Sequence, residues 1–160
     1  LQILIRHIAP DDNKTIASII RNVLTEFGCN KPGTAYADTQ TDFMYEYYTL
    51  PRHKYFIAEV DGVIAGGAGV GSLPDVLQVC ELQKMYLNKP YRNKHIAPLL
   101  LNACIDVALK FDYKAMYLET LPQLKQAVKL YRQNHFEMLD APIANTGHSA
   151  CSIWMMRQIS

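Results

Sequence analysis

The chain lacks a charge excess of either sign: sixteen Lys and Arg stand against fifteen Asp and Glu, a formal net charge of +1. A general nucleic-acid binder carries a strong basic surplus, so nucleic acid is not an expected partner. Long apolar runs are missing too. Stretches such as 96–101 (IAPLLL) fall far short of the ~20 residues that cross a bilayer, and no membrane association is expected. The four cysteines, at 29, 80, 104 and 151, lack the close spacing of a zinc site or redox dithiol. His148 and Cys151 stand three apart, but no second pair accompanies them, so no metal centre is expected. Both common phosphate signatures are absent, the Gly-Lys-Ser/Thr of a Walker loop and the Gly-x-Gly-x-x-Gly of a dinucleotide site. Repeats and low-complexity tracts are absent as well.

What is present is a globular composition, 49% hydrophobic and 19% charged over 160 residues, enough for one domain spanning 1–160. No secretory leader is visible ahead of the cysteines, which are expected as buried free thiols in a cytoplasmic protein.

Residues 1–8 (LQILIRHI) read as an opening strand, and Pro10-Asp11-Asp12 as the turn before a helix. In that helix Ile16, Ile19, Ile20, Val23, Leu24 and Phe27 recur at three- and four-residue intervals, and Gly28 is the expected stop. A loop over 29–41 precedes a short aromatic helix containing Phe43, Tyr45, Tyr47 and Tyr48, closed by Pro51. Residues 55–60 and 63–70 flank Asp61-Gly62, the signature of a hairpin with a two-residue turn. A strand over 76–87, a helix over 95–110, a strand over 115–120, a helix over 122–133 started by Pro122, and a closing strand over 151–156 complete the order β-α-α-β-β-β-α-β-α-β. This is a mixed α/β pattern.

The most informative segment is 87–97 (LNKPYRNKHIA), where a strand ends, a basic turn follows and a long helix begins. Free N–H groups at a helix start favour a phosphate, and Arg92 and Lys94 add positive charge; a solvated basic loop is the plainer alternative. Glu81-Leu82-Gln83-Lys84-Met85-Tyr86-Leu87, then Pro90, then Arg92-Asn93-Lys94-His95-Ile96-Ala97, resembles the acetyl-CoA motif Arg/Gln-x-x-Gly-x-Gly/Ala of the GNAT N-acetyltransferase superfamily. Leu118-Glu119-Thr120, then Ala127 to Tyr131, then Phe136 is similar to the family's following strand and its Tyr-x-x-x-Gly-Phe. Two family glycines are replaced, by His95 in the phosphate loop and by His135 before the phenylalanine. At 135 a helix-ending positive φ is expected, which histidine tolerates; at 95 histidine fits a helical backbone, whereas a need for close approach would weaken cofactor binding.

The resemblance implies a single-domain acyltransferase fold, with a mixed but mostly antiparallel sheet flanked by helices and splayed central strands. It implies acetyl-CoA as cosubstrate, with the backbone of Met85, Tyr86 and Leu87 meeting the pantetheine arm. Arg92 and the N–H groups of Asn93, Lys94, His95, Ile96 and Ala97 would hold the pyrophosphate. It also implies direct attack by a primary amine, from a small molecule or a peptide, in a ternary complex. Glu81 is the candidate base, sharing a strand face with Met85 and Leu87; the alternative is a carboxylate paired with a neighbouring lysine. Tyr131 matches the family's tyrosine acid, with core packing as its alternative, and Glu119 is a second choice of base. Tyr36, Phe43, Tyr47, Tyr48 and His148 are candidates for the acceptor wall. Relatives often dimerise, and Ile153-Trp154-Met155-Met156 is an apolar run that suits either a homodimer contact or the core. Two other functions fit the pattern: a non-catalytic acyl-CoA-binding module of the same fold, and an unrelated α/β binding protein.

Overall fold

Asp61 and Gly62 both adopt positive φ, 50° and 81°, and fold β2 (Lys54–Val60) tightly back onto β3 (Val63–Leu73). This is the two-residue turn expected of Asp-Gly, whose backbone twist matches that of the flanking strands. A second tight turn, with Asp75 at φ 60°, joins β3 to β4 (Val76–Leu87). With β1 (Ile3–His7) paired to β2, these strands form an antiparallel half-sheet. The computed structural model describes residues 1–160.

The second half begins with α3 (Ile96–Lys110), which carries the chain over the sheet so that β5 (Ala115–Thr120) lies parallel to β4. Then come α4 (Lys125–Gln133), β6 (Glu137–Leu139) and β7 (Ile153–Gln158), giving the sheet order β1-β2-β3-β4-β5-β7-β6. Only β4 and β5 are parallel neighbours, as a helical crossover requires.

The expected α1 (Asn13–Glu26) packs one face of the sheet with Ile16, Ile19, Ile20, Val23 and Leu24 buried. Each large aliphatic side chain taken from water there contributes roughly 1.5–3 kcal/mol. Gly28, at φ 71°, ends the helix, and the Cys29 N–H closes back on the Leu24 carbonyl at 2.7 Å. The short α2 (Met44–Tyr47) lies on the same side. Helix α3 buries Ile96, Leu100, Leu101 and Cys104 in a second core with β-strand residues, Tyr131 and Phe136. All four cysteines are free thiols.

Several boundaries differ from expectation. Pro122 lies before α4 rather than in its first turn, since the helix begins at Lys125 after Leu124. The last strand starts at Ile153, not Cys151, and runs on to Gln158. β6 was not expected at all; three residues carry too short a pattern to read, and its existence depends on pairing with β7. That pairing leaves β7 inside the sheet, between β5 and β6, with Met155 fully buried. Ile153, Trp154 and Met156 beside it are only partly buried.

Candidate active site

Strands β4 and β5 stay together for only three register pairs, Val79 with Ala115, Cys80 with Met116 and Glu81 with Tyr117. Beyond Glu81, β4 runs six more residues and β5 three more without pairing, so the sheet forks there. Along β4 from 82 to 87, the edge turned from β3 therefore has no strand partner, although the Lys84 carbonyl accepts from the Tyr55 hydroxyl and the Leu87 carbonyl from Arg92 Nε.

Lys84 sets which side chains face the fork. Its φ is 49°, and one extra β4 residue is accommodated between the pairs Gly69–Gln83 and Gly67–Tyr86. This bulge reverses the alternation. Glu81, Gln83 and Tyr86 consequently share one face, while Leu82, Met85 and Leu87 pack towards α3. The expectation that Glu81 shares a face with Met85 and Leu87 is thus corrected, because regular alternation does not survive the bulge.

A cavity of about 40 Å³ opens at the fork, lined by Glu81, Gln83, Lys84, Glu119, His148 and Cys151 among others. Glu81 is only 5% exposed, and burial pushes its carboxyl up to about 7, with the nearby Glu119 adding to the effect. A hydrogen bond from Gln83 Nε2 to Glu81 Oε1 (2.7 Å) and the positive field of His148 partly oppose that rise. Gln83 is oriented in turn by the Tyr48 hydroxyl, which donates to its Oε1 at 2.7 Å. Lysine pairing, the alternative for Glu81, is not found: Lys84 Nζ meets Asp38 Oδ2 at 3.0 Å instead.

Glu119 lies two residues beyond Tyr117 on β5 and hence on the same side. It accepts from the Tyr117 hydroxyl at 2.6 Å and from the Thr146 hydroxyl, which together fix both its oxygens. His148 closes the group. One polar atom from each of Glu81, Glu119 and His148 lies within 4.8 Å of the other two. His148 Nε2 is 2.6 Å from Asp38 Oδ2; burial opposes the imidazolium, but the Asp38 hydrogen bond and charge outweigh it, and the histidine is held above its ordinary value. Asp38 is held below the usual carboxylate range, burial being outweighed by His148 and Lys84. The Asp38–His148 contact joins the 29–41 and 141–150 loops, as does a hydrogen bond from the Ala150 N–H to the Gly33 carbonyl (3.2 Å).

Asp38, Lys84, Gln83 and Thr146 were not singled out from the sequence. Gln83-Lys84, two adjacent polar residues within an apolar strand, was the one available sign of a bulge; Asp38 carried none. Among the aromatic candidates, Tyr48 is buried and acts on Gln83, whereas Phe43 is 61% exposed.

The loop before α3 is more strained than expected. Asn93 and His95 are both left-handed, at φ 59° and 62°, so His95 does not have the helical backbone that would suit it best. Left-handed residues in such loops form concave N–H cradles for anions, and the first turn of α3 adds unpaired N–H groups. Asn93, Lys94 and His95 are exposed, while Ile96 anchors the helix in the core and Ala97 stays small at its start. Arg92 differs from expectation: its guanidinium is bidentate to Glu26 (2.7 and 3.0 Å), and its Nε donates to the Leu87 carbonyl. It braces the loop against α1. His135 has φ 68°, the expected helix-ending conformation. Tyr131 is buried beside Phe136, with ring centroids 5.8 Å apart, and does not line the fork cavity.

A forked β4/β5 pair followed by an anion-suited loop and a long helix defines a GNAT-type acyltransferase architecture. The chain belongs to the acetyltransferase (GNAT) family, whose sequence model matches residues 20–136. An uncharacterized N-acetyltransferase of Escherichia coli K12, YjgM, is 35% identical over 158 residues, 98% of this chain and 95% of that protein. A GNAT-family acetyltransferase of Staphylococcus aureus Mu50 superposes with a TM-score of 0.89 at 20% identity, covering 99% of this chain and 100% of the other. An N-acetyltransferase of Thermoplasma acidophilum, solved in complex with coenzyme A, gives a TM-score of 0.73 at 17% identity, with 99% of each chain covered.

Proposed function

We propose that the protein transfers the acetyl group of acetyl-CoA to a primary amine by direct attack in a ternary complex. Acetyl-CoA supplies the activated thioester. The free β4 edge over Met85, Tyr86 and Leu87 suits the amide groups of its pantetheine arm. The loop Asn93–Ala97 suits its pyrophosphate, with Arg92 as a brace and Lys94 as the nearest free cation.

The observation that carries the reading is Glu81, a nearly buried carboxyl at the fork held at about 7. Only a neutral amine is nucleophilic, and a base of this strength takes the ammonium proton near neutral pH. The amine nitrogen then forms the C–N bond as the C–S bond breaks, and it gives its second proton to water, from which the phenol that protonates the sulfur is restored. Tyr131, which burial holds well above the ordinary phenol range, keeps its proton until the departing sulfur takes it.

The test is the pH dependence of kcat/KM for acetyl transfer to a panel of primary amines. Wild type is expected to show an acid limb near pH 7, and Glu81→Gln to lose that limb with a roughly 10²–10⁴-fold lower rate. Tight acetyl-CoA binding without turnover on any amine would instead mark a non-catalytic acyl-CoA-binding module.

A further inference from the structure

The cavity at the fork is lined by groups of both signs, the Glu81 and Glu119 carboxyls and, opposite in charge, Lys84. His148 is near both carboxyls and bonded through Nε2 to Asp38, whose Oδ2 also meets Lys84. Asp38 stands behind this group and does not line the cavity, whereas Lys84 and His148 both do. Lys84 Nζ and His148 Nε2 thus share one carboxylate oxygen, Asp38 Oδ2.

Lys84 is the unusual member. Its side chain is only 5% exposed, and its ammonium has three protons to donate but one acceptor in the protein, Asp38. A buried ammonium with donors to spare is costly unless a further acceptor reaches it. The bulge at Lys84 is what turns this side chain to the cavity face beside Glu81 and Gln83.

Resting on the acetyl-transfer reading above, we propose that the acceptor is a small α-amino acid, its ammonium held between Glu81 and Glu119 and its carboxylate accepting from Lys84. The opposed charges suit a zwitterion whose two ends are close together. A polyamine would bring a second cation against Lys84 and His148. A peptide N-terminus would present a neutral amide where Lys84 needs an anion. The small cavity restricts the side chain, and the bridged loops 29–41 and 141–150 bound its size. Transfer converts the ammonium to a neutral amide and leaves the carboxylate on Lys84 unchanged, so Lys84 sets specificity and takes no part in the chemistry.

The test compares kcat/KM for alanine, serine and methionine with that for their α-amides, and for spermidine, using wild type, Lys84→Met and Lys84→Arg. Acetyl-CoA binding is measured on the same samples by calorimetry. Wild type is expected to prefer each amino acid over its amide by roughly 10- to 100-fold, the range that one hydrogen bond to a charged group provides. Lys84→Met should reduce that ratio to near one, and Lys84→Arg should restore part of it. Equal or better use of the amides or spermidine by wild type would overturn the proposal without help from any variant. A ratio unchanged in Lys84→Met would also overturn it. So would activity lost to a chelator and restored by zinc, because the Glu81–Glu119–His148 group would then hold a metal ion rather than the ammonium. Loss of acetyl-CoA binding, or binding with no transfer to any amine, would instead sink the underlying acetyl-transfer reading.

Discussion

Replacing Glu81 by Gln should stabilise the protein, and only at the higher end of the pH range. The carboxyl is pushed from its ordinary 4.5 to about 7, chiefly by burial. A carboxyl whose affinity for its proton is raised by folding binds more protons in the folded than in the unfolded state between those two values. Folding stability therefore falls as pH rises through that window, and the cost is complete above pH 7. At about 1.4 kcal/mol per pH unit, the full cost is about 3 kcal/mol. Glutamine has the same shape, carries no charge, and can accept the Gln83 hydrogen bond through its carbonyl oxygen. For a chain of this length the gain corresponds to a melting temperature higher by roughly 6–12 °C at pH 8.5, shrinking towards zero at pH 5. Thermal melts of wild type and Glu81→Gln across pH 5–8.5 test this. A difference that does not change with pH, or a less stable variant at pH 8.5, would refute the reasoning. Stability lost to keep a buried ionisable group is what a catalytic role for Glu81 entails.

Other perturbations have equally definite outcomes. Tyr131→Phe should lower kcat at least 10-fold while KM for acetyl-CoA and the melting temperature stay close to wild type, since the ring still packs on Phe136; steady-state kinetics and melts check both. His95→Gly relieves a left-handed histidine at φ 62° and should raise stability by about 1 kcal/mol in denaturant titrations, together with a higher affinity for acetyl-CoA. Gly33→Ala should destabilise by about 1–3 kcal/mol, because Gly33 has φ 79° and an added Cβ would lie 2.7 Å from Ser149 Oγ and 2.9 Å from the Ala150 nitrogen. The same variant should raise KM for the amine by loosening the contact between the two loops at the cavity.

Local chemistry made much of the fold readable. The Ile16–Leu24 stripe, the Asp61-Gly62 turn and the strand–loop–helix junction at 87–97 each follow from short-range rules, and each forms where those rules put it. The misses share a cause. β6 exists only through its partner strand, and the face presented by Glu81 depends on a bulge that one left-handed residue, Lys84, creates. Period-two reasoning assumes no such interruption. The site was partly legible for the same reason. Glu81 and Glu119 stood out as carboxylates on strands, but Asp38 lies 110 residues from His148 and meets it only through folding. Arg92 showed its charge in the sequence; Glu26, which engages it, lies 66 residues away.

Calorimetric titration of the wild-type protein with acetyl-CoA, and in parallel with CoA, tests the central claim most directly. The free β4 edge and the Asn93–Ala97 loop predict one site per chain with micromolar affinity. A folded protein that binds neither would contradict the account, because no acetyl group could then be delivered to the fork where Glu81 stands.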